Sequence, residues 1–179
     1  MKPIIVYYSH SGNNEKLALK LKDKIGCEIY QINEKKKRKT ISILLDFIFN
    51  RSSKISSYEI ITGGYDVFIF VAPVWGSKIA SPIRTFMEKE KNNIQKYFYI
   101  TLCNGVDGQK DKLAKELLSI TQCIPIEVKE LSINSLLPED KKNKIKHTFN
   151  YKVDNKSLEY FDEDIEDITC MISNVIDTN

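Results

Sequence analysis

Ile4-Ile5-Val6-Tyr7-Tyr8-Ser9-His10-Ser11-Gly12-Asn13-Asn14 joins an apolar run to a polar turn and a helix start. Its first five residues are apolar without alternation, which fits a strand buried on both faces, as in a parallel sheet covered by helices. A short Ser/Asn/Gly loop follows at once. From Asn14 to Ile25, Leu17, Ala18, Leu21 and Ile25 share one helical face while Lys16, Lys20 and Lys24 lie off it. Gly26 stops that helix. Cys27 to Ile32 then reads as a half-polar strand near an edge.

Downstream the same alternation continues. Val67 to Ala72 is the most apolar run and predicts a central strand. Ser81-Pro82 predicts a helix start, with Ser81 as N-cap, Pro82 as first helical residue, and Ile83, Phe86 and Met87 on the buried face. Tyr97 to Leu102 is the next strand, and Gln109 to Gln122 a helix carrying Leu113, Leu117 and Ile120. Ile124 to Leu131 is a fifth strand, with Pro125 suited to an edge. Leu158 to Ile176 closes the chain as a helix striped by Phe161, Ile165, Ile168, Ile172 and Val175. Alternation of this kind predicts an α/β fold, a three-layer, doubly wound, five-stranded parallel sheet in one domain spanning residues 1–179. Right-handed crossovers leave few topologies, and the strand order 2-1-3-4-5 is the expected one. Residues 33–64 are long for one crossover, and Ile41, Leu44, Leu45 and Ile48 predict an inserted helix near 40–50. Residues 134–157 predict a short helix from Pro138 and then a polar loop.

The composition bounds the function. With 179 residues the chain can bury a core without staples, and 27 basic against 24 acidic residues give a net charge of +3, too weak to imply nucleic acid. Lys35 to Lys39 form a basic run, and Glu159, Asp162, Glu163, Asp164, Glu166 and Asp167 form an acidic one; both read as solvated faces. The basic run followed by the Ile41–Ile48 stripe also allows a second reading, contact with an acidic membrane surface. The cysteines at 27, 103, 123 and 170 form no CxxC, and His10 and His147 lack zinc spacing. No signal peptide is visible and no apolar run approaches the roughly 18 residues of a membrane span. These features predict a cytoplasmic chain with free thiols, no metal, no nucleic-acid partner and no integral membrane segment.

In an open α/β sheet, ligands bind beyond the carboxyl ends of the strands, where the winding reverses between strands 1 and 3. That rule selects three loops: Ser9 to Asn14; Pro73-Val74-Trp75-Gly76-Ser77-Lys78; and Cys103-Asn104-Gly105-Val106-Asp107-Gly108. They hold four of the seven glycines and the only tryptophan. The first loop offers the Ser9 and Ser11 hydroxyls and the Asn13 and Asn14 amides at a helix start, with Gly12 allowing close approach. It contains no Lys or Arg, so anion recognition there would use neutral donors. The hexapeptide fits an anion cradle and a plain helix-capping turn equally well. Trp75 can stack on a flat aromatic ligand or pack in the core, and His10 alone reads as an exposed loop histidine. The sequence has no G-x-G-x-x-G, Walker A loop, receiver acids, Cys-x-x-x-x-x-Arg or G-x-S-x-G, which excludes the main competitors on this topology.

Together these loops resemble the flavodoxin family. Ile4 to Asn14 resembles that family's first strand and phosphate loop, Tyr65 to Gly76 its third strand and flavin loop, and Ser81-Pro82-Ile83-Arg84-Thr85-Phe86 its next helix start. The resemblance covers residues 2–32 and 62–132. It implies non-covalent FMN, with Ser9, His10, Ser11, Gly12, Asn13 and Asn14 at the ribityl phosphate. Pro73, Val74, Trp75 and Gly76 would pack on the ring system, and Cys103, Asn104, Gly105, Asp107 and Gly108 would face its edge. Cys103 itself reads as a buried, inert thiol. Asn14 stands where the family's loop closes with Thr, and the third loop has no aromatic residue where electron carriers of the family place a stacking Tyr, which implies one open ring face. The implied function is electron transfer, or FMN-dependent reduction of a small acceptor such as a quinone, as a monomer or homodimer, with a redox protein or a small molecule as partner. The alternative is a flavodoxin-fold binding module with a degenerate flavin site.

Overall fold

In the computed structural model, which describes residues 1–35 and 53–178, the opening apolar run is strand β1 (Pro3–Tyr7), buried from Ile4 onward. The chain passes through loop 8–12 into helix α1 (Asn13–Ile25) and returns as β2 (Glu28–Gln31), parallel to β1 with Ile5 opposite Ile29. After an antiparallel bridge between Glu34 and Ile55, strand β3 (Val67–Val71) pairs with the other side of β1, Val6 opposite Phe70. A hairpin of β4 (Val74–Trp75) and β5 (Lys78–Ile79) leads into α2 (Ser81–Glu90). Then come β6 (Lys96–Cys103), α3 (Gln109–Thr121) and β7 (Glu127–Ser132). The last segment carries α4 (Ile145–Asn150), α5 (Asn155–Glu159) and α6 (Asp162–Asp177).

The main sheet has the order β2-β1-β3-β6-β7 and is parallel throughout. With the hairpin set aside, this is the expected five-strand order 2-1-3-4-5. The half-polar β2 and the strand following Pro125 are the two edges, as their composition indicates. Every residue of β3 is buried, because both faces of the sheet are covered. Ile4, Val6, Phe68, Phe70, Tyr97 and Tyr99 face Ile83, Phe86, Leu113 and Leu117. Ile5, Val67, Ile69, Phe98 and Ile100 face Leu17, Leu21, Ile165, Ile168 and Ile172. Successive strand residues thus feed opposite layers, each large side chain contributing about 1.5–3 kcal/mol of burial.

Local boundaries differ from the sequence reading in several places; after Pro138 there is only a 3-10 turn, Glu139–Lys141, and the expected polar loop contains helix α4. Ser81 is not the N-cap of α2; Ala80 is, its carbonyl accepting the Arg84 N–H at 3.0 Å. The Ala80 N–H is itself bonded to the Pro73 carbonyl at 3.2 Å, which fixes Ala80 as the last residue of the hairpin. The closing helix is two helices: α5 is capped by Asp154, which accepts the Ser157 N–H at 2.7 Å, and α6 starts afresh after Tyr160 and Phe161. The fifth strand starts at Glu127 rather than Ile124. The helix expected near 40–50 lies outside the described residues, as do residues 36–39 of the basic run. Among the described residues no helix is long and apolar enough to cross a membrane, and no cluster of metal-binding side chains occurs.

Candidate functional site

Strands β1, β3 and β6 are neighbours, so the three loops that follow them share one edge of the sheet. Ser9, His10, Ser11, Gly12, Asn13 and Asn14 follow β1; Pro73, Val74, Trp75 and Gly76 follow β3; Cys103, Asn104, Gly105, Asp107 and Gly108 close or follow β6. The winding reverses between β1 and β3, with β2 on one side and β6 and β7 on the other.

The first loop is shaped by its own hydroxyl and glycine. Ser9 Oγ accepts the Gly12 N–H at 3.1 Å. Gly12 has φ 90°, a left-handed conformation, and serves as N-cap of α1. A Cβ built on it meets no atom within 4 Å, so the space over the loop is open. The first N–H groups of α1 have no acceptor within the helix, and the helix dipole favours negative charge there.

The two asparagine side chains do other work. Both are buried. Asn13 Nδ2 donates to the Tyr151 carbonyl at 2.8 Å, and Asn13 Oδ1 accepts the Val153 N–H at 3.1 Å. Asn14 Oδ1 accepts the Leu102 N–H at 2.9 Å, and its Nδ2 donates to the Leu102 carbonyl at 3.3 Å. The physical reason lies in the sheet: β3 ends near Ala72, whose N–H reaches the Ile100 carbonyl at 3.3 Å. Leu102, two residues further along β6, pairs with Leu131 of β7 on one side but has no residue of β3 on the other, and Asn14 takes that place. The side-chain amides read from the sequence as anion donors are therefore engaged with backbone through their oxygens and one N–H each; the loop also offers the Ser9 and Ser11 hydroxyls and its N–H groups other than that of Gly12.

In the second loop, Gly76 (φ 56°) and Ser77 (φ 60°) make a two-residue turn with both residues left-handed, the geometry that suits a tight hairpin. Trp75 is half-buried and packs against the core. Its ring also meets Tyr8 edge-on at 6.0 Å between centroids and His10 edge-on at 6.2 Å. It is neither a sealed core residue nor a free one; it joins the second loop to the first. The hairpin is pinned from below. Glu116 Oε2 accepts the Ile79 N–H at 2.9 Å, and Glu116 also pairs with Arg84. Burial raises the Glu116 carboxyl above its ordinary range, against the opposing pull of Ile79 N–H and Arg84.

The third loop is held by β7. Ser132 Oγ donates to the Asn104 carbonyl at 3.0 Å and Asn134 Nδ2 to the same oxygen at 2.8 Å. Gly105 is left-handed (φ 68°), and a Cβ on it would lie 2.8 Å from Ser132 Cβ. Burial, then the Glu130 charge, pushes the Cys103 thiol up to about 12. Gln109 Nε2 donates to Cys103 Sγ at 3.3 Å. This thiol is protonated at neutral pH. Asp107 is exposed, and Val106, 54% exposed, stands at the tip of the loop. Gly108, also left-handed, is the N-cap of α3.

Sequence reasoning missed the strap that crosses the first loop. Besides the two bonds to Asn13, residues 151–153 receive Lys16 Nζ on the Val153 carbonyl at 2.7 Å. Lys152 Nζ donates to the Ser11 carbonyl at 2.8 Å. No local pattern signals these contacts, which join residues more than a hundred positions apart. The β4–β5 hairpin was missed as well, although Gly76-Ser77 is a two-residue turn signal that could have found it.

No protein-family model and no curated protein matches this sequence. Solved structures do. A flavoprotein from Lactobacillus acidophilus NCFM, crystallised in complex with FMN, is 24% identical and superposes with a TM-score of 0.63 over 80% of this chain and 99% of its own. The apo-form of the flavoprotein from Lactobacillus acidophilus NCFM, solved by NMR, is also 24% identical, with a TM-score of 0.59 over 75% and 94%. A candidate flavoprotein from Bacteroides eggerthii DSM 20697 is 19% identical, with a TM-score of 0.64 over 73% and 87%. The likeness lies in the architecture, and with the parallel order β2-β1-β3-β6-β7 it establishes that this chain has the flavodoxin-like fold.

Proposed function

We propose that this chain binds FMN non-covalently at the carboxyl edge of β1, β3 and β6, and that it is a redox protein acting as a single unit over residues 1–179. The observation that carries the reading is the joined pair of loops at the switch point: an open, glycine-capped turn at the start of α1, linked through the Tyr8, His10 and Trp75 rings to the second loop. The donor set fits the cofactor. Ser9, Ser11 and the N–H groups around Gly12 would hold the phosphate. Trp75, with Pro73, Val74 and Gly76, would bind the ring system. The backbone of Asn104, Gly105 and Gly108, beside Asp107, would border its polar edge, while Cys103 serves as packing. FMN, when bound, supplies the electron-transfer chemistry, and the protein orients it and tunes its potential. Val106, exposed at the loop tip in place of an aromatic, would leave one ring face accessible, which would favour reduction of a small acceptor such as a quinone over exchange with a redox protein alone. The setting consistent with free thiols, and with no membrane-spanning helix among the described residues, is the cytoplasm.

One observation favours a second reading, a binding module without flavin: both asparagine amides of the first loop are already engaged with backbone. Equilibrium dialysis of the purified chain against FMN separates the two. Saturable binding of one FMN per chain, followed by rapid reoxidation of the reduced complex by quinones, is the expected result. Absence of saturable binding contradicts the flavin reading, and binding with slow quinone turnover favours the protein carrier.

A further inference from the structure

The first loop has no cation of its own, yet the fold delivers one. Lys152 lies 141 residues from Ser11 in the chain and places its ammonium 2.8 Å from the Ser11 carbonyl, on the rim of the turn. Its placement is built from both sides. The residue before it, Tyr151, gives its carbonyl to Asn13 Nδ2, and the residue after it, Val153, gives its N–H to Asn13 Oδ1. The Asn13 amide thus brackets residue 152, and the Val153 side chain is anchored in the core at 1% exposure. Asn13 is itself the first residue of α1, so the strap is registered directly on the helix start. Among the described residues Lys152 has no carboxylate partner. Asp154, the nearest acid in sequence, is occupied by the Ser157 N–H and hydroxyl. An ammonium carries three donors, and the Ser11 carbonyl takes one.

We propose that Lys152 is a specificity-determining residue of this site: it supplies the positive charge toward a phosphate monoester seated on the first loop, selecting FMN over riboflavin, with Asn13 as its positioning residue. The proposal rests on the flavin reading above. Chemically, the neutral donors of the turn recognise the oxygens of a phosphate, while a mobile ammonium tethered at the rim compensates a dianion's charge as it leaves water.

The test is binding of FMN and of riboflavin to the unsubstituted chain and to Lys152→Gln, Lys152→Arg and Lys96→Gln, each checked for an unchanged melting temperature. Lys96 begins β6 at the opposite end of the sheet and controls for net charge. Expected is a loss of about tenfold in FMN affinity for Lys152→Gln, the scale of one charge-assisted contact. Riboflavin affinity should stay unchanged, Lys152→Arg should retain FMN, and Lys96→Gln should alter neither. The FMN affinity of the unsubstituted chain should also fall more steeply with salt than that of Lys152→Gln. An equal loss for both flavins, no loss for FMN, or the same loss in Lys96→Gln overturns the role of Lys152 while leaving the flavin reading intact. No binding of either flavin by the unsubstituted chain overturns both.

Discussion

Loops 8–12 and 103–108 look alike as sequence and differ in what their glycines do. Each follows a central strand, and each ends on a left-handed glycine that caps a helix, Gly12 for α1 and Gly108 for α3. Over Gly12 there is open space. At Gly105 the third loop is closed against β7, where Ser132 stands in the position a side chain would take. The Asn104 carbonyl of the third loop is bound twice by protein donors, whereas the N–H groups at the start of α1 face the open turn. The first loop is a cradle; the third is walled at Gly105, while Gly108 at its end has open space over it as Gly12 does. Glycine at a strand end therefore has two meanings, room for a ligand or room for a neighbouring strand, and only tertiary structure separates them.

One methyl group added to each loop separates the two glycine environments. Gly105→Ala combines a left-handed alanine with a forced contact on Ser132 and should cost about 2–4 kcal/mol in urea unfolding. Ser132→Gly in that background should recover the packing share, read as a coupling in a double-mutant cycle. Gly12→Ala carries only the backbone share, about 1 kcal/mol. Equal costs at the two positions would remove the distinction between cradle and wall.

Next in size is Asn14. Restoring the threonine usual in the flavodoxin pattern, Asn14→Thr, should destabilise the chain by about 1–3 kcal/mol, because the buried Leu102 N–H loses its acceptor. It should not tighten FMN. A stable Asn14→Thr chain with tighter FMN would show that Asn14 serves the ligand after all. Smaller again is Trp75→Ala, which should weaken FMN by about 1–2 kcal/mol through lost ring contact. An unchanged dissociation constant would make Trp75 a support for Tyr8 and His10 and nothing more.

The least effect concerns Cys103 in the wall. Its thiol is raised from 9.0 to about 12 by burial. The unfolded chain ionises this group first as pH rises, so the stability the neutral thiol contributes is complete below 9.0 and is lost as pH climbs from 9.0 to about 12. At pH 8 an alkylating reagent should modify the exposed Cys170 well before Cys103. Rapid labelling of Cys103 would show that the third loop opens.

The sheet was legible because burial on two faces writes itself into the chain as unbroken apolar runs; Ile4–Tyr7 and Val67–Val71 are strands where the sequence indicates them. The positions of the three loops were legible too, through the rule that ligands gather where the winding reverses. The duties of individual polar side chains were not. Asn14 reads as a donor to a ligand, and its side chain also bonds a strand end 88 positions away, which the sequence does not signal. Ser81 reads as a cap, and the hairpin bond from Ala80 to Pro73 moved the cap one residue earlier. Lys152 carries no local mark at all. Hydrophobic period is a local property, whereas the acceptor a side chain finds depends on which distant backbone group the fold leaves without one.

FMN binding beside Trp75, the only tryptophan, can be followed through its fluorescence while FMN is added to the apo-protein. Saturable quenching at micromolar FMN or below, accompanied by a yellow complex and weakened in Gly12→Ala, is the predicted result. Unchanged fluorescence with no retained flavin would contradict it and turn the site at the carboxyl edge over to another ligand.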